Sequence, residues 1–102
     1  MTLDNIIDTL KGRPGMLVLN HSILEASRFI NGFMLGKRSY TQLDARELKF
    51  DEEFHRWVQH YYDCPIGVSW AQTILFYEGD YKRALEKFVT LYHEFQGDES
   101  SM

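Results

Sequence analysis

The sequence predicts an all-α fold, a compact single-domain bundle of about five helices. The first observation behind this is spacing. Apolar residues recur three and four positions apart in five stretches, as on the buried face of an amphipathic helix. The second is the lack of convincing period-two alternation, which would mark half-buried strands. The third is size and composition. The chain has 102 residues, 44% of them hydrophobic and 15% aromatic, enough for one core and too few for two ordinary domains. Residues 1–97 are expected to form the domain, and residues 98–102 a flexible C-terminal tail.

Leu3, Ile6, Ile7 and Leu10 define a first short helix. Thr2 can cap it, and Gly12 sits where a helix stops. Arg13-Pro14-Gly15 then turns the chain, because proline presets φ and glycine tolerates a positive one. The apolar run Met16–Leu19 reads as a buried extended segment or a brief strand. The next helix starts from either of two caps. Asn20 would let Leu19 and Leu24 form a hydrophobic staple, whereas Ser22 would pair with Glu25 in a capping box. Ile23, Ala26, Ile30, Phe33 and Met34 form its inward face, widened by Phe29 and Leu35. Gly32 weakens the helix by about 1 kcal/mol relative to alanine, which suggests close packing against a neighbour. Gly36 is expected to end the helix, with Lys37 and Arg38 facing its negative end.

Residues 39–49 are polar and irregular, with room for one helical turn over 43–48. The aromatic centre of the chain follows, from Phe50 to Tyr77. Phe50, Phe54, Trp57, Val58 and Tyr61 share one helical face, and Asp51, Glu52 and Glu53 occupy the expected first turn. A Cys64-Pro65-Ile66-Gly67 turn leads to a second helix. Ser69 and Gln72 suggest a capping box there, and Trp70, Ile74 and Tyr77 lie on one stripe. Both tryptophans read as core. Gly79 separates this helix from the last, which Asp80 caps. Ala84, Leu85, Phe88, Leu91, Tyr92 and Phe95 face inward, and Gly97 stops the helix.

Little in the chain suggests chemistry. His55 and His60 are five residues apart, so about 140° separates them on a helix and they cannot chelate as an i, i+4 pair would. With Cys64 the sole cysteine, no internal disulfide can form. Cys64 with His60 as base would need a depressed thiol pKa and an oxyanion hole, and the sequence displays neither. No phosphate-binding glycine loop is present. No metal, cofactor or catalytic residue is expected, and the protein is not expected to be an enzyme. There is no apolar run of about 18 residues to span a membrane, and the N-terminus lacks the pattern of a secretory signal. With the lone cysteine, this points to the cytoplasm.

The net charge is −4 and uneven. Residues 1–38 hold five Lys/Arg against three Asp/Glu, and residues 39–102 hold six against twelve. That balance disfavours direct nucleic-acid binding and suits a basic partner protein. The densest acidic segment outside the tail gives the expected partner surface: Asp44, Glu47, Asp51, Glu52 and Glu53, with Tyr40 and Tyr62 as aromatic anchors. The face around Glu78, Glu86 and Glu94 is the next candidate.

Arg13-Pro14-Gly15-Met16, Leu24 with Phe29-Ile30-Asn31-Gly32-Phe33, and Phe50, Phe54, Trp57, Val58 and Tyr61 carry a resemblance. It continues through Ser69-Trp70, Ile74-Leu75-Phe76, Ala84-Leu85, Phe88, Leu91 and Glu94-Phe95. The chain resembles the small bacterial immunity proteins of contact-dependent growth inhibition and related polymorphic toxin systems. It departs from their pattern at Leu17 and Val18, where an aromatic and a glycine are usual. The resemblance implies a cytoplasmic inhibitor that binds the C-terminal domain of a cognate toxin, often a basic nuclease, and performs no chemistry itself. The alternative is a small adaptor or regulatory domain with no toxin partner.

Overall fold

Five α-helices follow one another in a computed structural model that describes residues 1–13, 21–64 and 67–98: α1 (Leu3–Gly12), α2 (Ile23–Arg38), α3 (Ala45–Tyr61), α4 (Trp70–Glu78) and α5 (Tyr81–Gln96). The fold is the expected all-α single domain, with no strand among the described residues. The run Met16–Leu19 and the alternative cap Asn20 lie outside the described residues. No described helix is long and apolar enough to cross a membrane.

Short side chains set most of the helix starts. Thr2 accepts from the Asn5 amide, and the Asn5 side chain returns to the Thr2 amide, closing a capping box. Ser22 caps α2 through the Leu24 amide, Ser69 caps α4 through Gln72, and Asp80 caps α5 through Arg83. Gly79 and Gly97 end α4 and α5 with φ of 77° and 75°, a left-handed conformation that glycine adopts without steric cost.

Two expected boundaries are corrected. The helix α2 runs on through Gly36 to Arg38, so Gly36 does not end it. Nor does Gly32 mark close packing, since a Cβ built there meets nothing within 4 Å. Phe29 and Leu35 turn outward, Leu35 being 70% exposed. The second correction concerns α3, which begins at Ala45 and absorbs the turn expected over 43–48. Asp44 caps it and closes a capping box with Glu47. Asp51, Glu52 and Glu53 therefore lie beyond the first turn, where the helix dipole has faded.

The core sits where α3, α4 and α5 meet. The Phe54 ring is fully buried, with Phe50 at 4.7 Å, Phe95 at 5.1 Å, Trp70 at 5.4 Å and Phe88 at 5.8 Å between centroids. Trp70 is buried and stacks on Phe88 at 4.6 Å. Burying one such side chain contributes about 1.5–3 kcal/mol, whereas an exposed ion pair contributes about 0–1 kcal/mol. The ring cluster therefore dominates the stability of this end of the molecule. Leu3, Ile6, Ile7 and Leu10 pack α1 against it, with Ile23, Ala26, Ile30 and Met34 from α2. Trp57 is half-buried at the rim of this core.

Candidate partner-binding surface

The structure divides the residues expected to bind a partner. Glu47 has no place on a surface, as it is 1% exposed. Its carboxylate accepts from the Leu3 amide at 2.9 Å and the Asp44 amide at 2.9 Å, and the Lys37 ammonium lies 2.9 Å away. Burial works against the charge, but the bonds from Asp44, Lys37 and Leu3 outweigh it and hold the carboxyl below its ordinary pKa. Glu47 thus joins the starts of α1 and α3 to the end of α2, and cannot be the partner contact that the sequence suggests.

The remaining acids lie on α3 or at its start. Asp44 is exposed but occupied as the helix cap, and Asp51 pairs with Arg38. Glu52 and Glu53 reach solvent. Tyr40, just past α2, is 78% exposed. Tyr62 belongs elsewhere. It follows the last residue of α3, whereas Asp44 precedes the first, and about 27 Å of helix separates them. The seven residues do not form one patch.

Tyr62 instead joins a line of rings running from the core to the surface. Trp57 stacks on Tyr61 at 5.6 Å, and Tyr61 meets Tyr62 edge-on at 4.8 Å. Tyr62 stacks on Tyr77 at 4.7 Å with the planes 5° apart, and Tyr77 meets Phe76 at 5.0 Å. Trp57 and Tyr62 are half-buried against the core, whereas Tyr61, Tyr77 and Phe76 are exposed, Phe76 at 77%. The Tyr62 hydroxyl donates to Glu78 at 2.9 Å, and burial, then Glu78, raises its pKa. The Lys87 ammonium covers the Tyr61 ring at 5.4 Å.

Local sequence explains why these rings are outside. Leu75, Phe76 and Tyr77 are consecutive on a nine-residue helix, about 100° apart, so all three cannot face one core. The inward residues of α4 are Trp70, Ala71, Thr73 and Ile74. The expected stripe carrying Tyr77 inward is therefore corrected. That consecutive run, and the pair Tyr61-Tyr62, were the available signals for an exposed aromatic patch.

Beside the patch, Arg56, Gln59, His60, Asp63 and Cys64 line an open groove of about 460 Å³. Asp63 has φ of 53°, which turns the chain out of α3. The Cys64 amide donates to the Gln59 carbonyl at 2.8 Å. Desolvation, then Cys64 and Asp63, raises the pKa of Tyr77. Glu53, Arg56, Trp57, His60 and Phe95 line a second groove of about 330 Å³. Among the described residues no group of three or more His, Cys, Asp or Glu could hold a metal ion. The chain matches no protein-family model, no curated protein and no solved structure.

Proposed function

We propose that the protein is an immunity protein that binds and neutralises the C-terminal domain of a cognate toxin in contact-dependent growth inhibition. The observation that carries a binding role is the exposure of three large rings, Tyr61, Phe76 and Tyr77, in one line of ring contacts at the ends of α3 and α4. Large apolar side chains gathered at a surface favour a protein partner, and aromatic residues dominate the energetics of many interfaces. The resemblance of the sequence narrows that partner to a toxin domain, and the acid-rich second part of the chain suits a basic nuclease. The protein would act by occupying the toxin in the cytoplasm, without catalysis and without touching nucleic acid.

Co-expression with the toxin domain encoded by the adjacent reading frame tests this. A co-purifying complex and loss of toxicity are expected. Unrelieved toxicity with no complex overturns the reading, and capture of a housekeeping protein instead favours the adaptor. The groove joining Cys64, His60 and Asp63 favours a second reading, a thiol hydrolase. The Cys64→Ser protein separates the two. Undiminished neutralisation fits an inhibitor, and its loss in a folded variant fits the hydrolase.

A further inference from the structure

Where α1 ends against the first half of α5, the surface folds inward into a cavity of about 180 Å³. Its floor is apolar, made by Leu10 of α1 and by Leu85 and Val89 of α5, each buried against the core. Its rim is charged, with Lys11, Lys82 and Glu86 all exposed, and His21, just ahead of the α2 cap, completes the lining. Lys82, Leu85, Glu86 and Val89 share one side of α5 at spacings of three and four. Lys87, which covers Tyr61, leaves the helix about 100° further round from Glu86. The cavity is therefore separate from the exposed rings.

The positive charge at this rim is not neutralised within the fold. Among the described residues, ion pairs engage Lys37, Arg38, Arg46 and His93, and none engages Lys11 or Lys82. Glu86 stands four residues after Lys82 without pairing with it, and lysine ahead of glutamate is the weaker order for such a pair. Lys82 and Arg83 also occupy the first turn of α5, which holds no acid. The helix dipole there favours a carboxylate over an ammonium. The Asp80 cap offsets part of that field, but its carboxylate is taken up by the Arg83 amide. A lysine in this turn is unfavourable to the helix, and a bound anion would relieve it.

An apolar floor under two cations suits a molecule with an apolar body and one negative group. A cavity of about 150 Å³ accommodates benzene, which sets the size of the body. A carboxylate would form charge-assisted hydrogen bonds with the two ammonium groups. Glu86 opposes a second negative group and so disfavours dicarboxylates and phosphate esters.

We infer that the cavity between α1 and α5 is a binding site for a small monocarboxylate with an apolar body, its carboxylate held by Lys11 and Lys82 and its body on Leu10, Leu85 and Val89. This goes beyond toxin neutralisation and does not depend on it.

The probe is sodium benzoate, titrated into the ¹⁵N-labelled full chain at constant ionic strength and followed by NMR. Saturable shifts centred on residues 10–11, 21 and 82–90 are expected. Benzyl alcohol keeps the ring without the charge and should bind about tenfold more weakly, as should phthalate with its second carboxylate. Lys82 is exposed, so Lys82→Gln should leave the thermal midpoint no lower while weakening benzoate binding about tenfold. Lys11→Gln provides an independent variant on the other helix and should also weaken binding. A lack of saturable shifts, shifts centred on other residues, or an equal response to benzyl alcohol would overturn the inference. So would undiminished benzoate binding by either variant in its folded state.

Discussion

Glu47 shows how far one side chain can sit from the role its sequence context suggests. In the sequence it is one acid among several in a polar stretch. In the fold it is a buried carboxylate that satisfies two backbone amides and Lys37. Its partners lie 44, 3 and 10 residues away, so only the spacing of Asp44 and Glu47, that of a capping box, was readable in advance. Glu47→Ala would leave Lys37 without its carboxylate and two amides unsatisfied. Urea denaturation should show a loss of about 3–5 kcal/mol, the range for breaking a buried pair, with Glu52→Ala within about 0.5 kcal/mol of the unaltered protein. The sign of the pH effect follows from the lowered pKa. The stabilisation from Glu47 is fully present above the unfolded value of about 4.3 and is lost as pH falls through the lower folded value. Glu47→Gln should flatten that part of the stability profile. Trp70 was legible as core from helical spacing alone, and Trp70→Ala should cost about 3–5 kcal/mol by the same measurement.

The helices were legible where their signals are local. Thr2, Ser69 and Asp80 are legible as caps, and Gly79 and Gly97 as stops, because each acts on backbone within four residues of itself. The start of α3 was misplaced because polar residues 39–49 hide a capping box behind few apolar positions. Gly32 and Gly36 misled for another reason. A glycine inside a helix announces either a close neighbour or nothing, and only packing decides. Here both face open space. Gly32→Ala should therefore raise stability, by about 0.5–1 kcal/mol, through lower backbone entropy in the unfolded chain and better helix propensity. A drop in thermal midpoint would mean that this face of α2 is packed in solution. Gly79 is the opposite case. With φ of 77°, Gly79→Ala should cost about 1–2 kcal/mol despite the open space around it. The exposed aromatic patch was half visible in the consecutive rings of α4. That α3 delivers Tyr62 onto Tyr77 depends on how the two helices cross, which no local spacing encodes.

Across the molecule, one guanidinium gathers the first and last helices. Arg46 takes both oxygens of Asp98 at 2.9 and 2.8 Å and lies 2.9 Å from Asp4, while the Tyr92 hydroxyl donates to Asp4 at 2.7 Å. Asp98 also meets the His93 ring at 2.8 Å. The expected flexible tail from residue 98 therefore loses its first member, which the fold holds. Arg46, then His93, lowers the Asp98 carboxyl to about 2. Its contribution is present above the unfolded value of about 3.9 and is lost as pH falls toward 2. Acid titration of Asp98→Asn should lack that step, and the variant should be less stable at pH 7 by about 1 kcal/mol, given that the site is partly solvated. Because Arg46 touches both Asp4 and Asp98, the two ends of the domain are neighbours in space although they are farthest apart along the chain. A short glycine-serine bridge could join them, and the chain could be reopened at Gly79 to give a circularly permuted protein with the same helices in a new order.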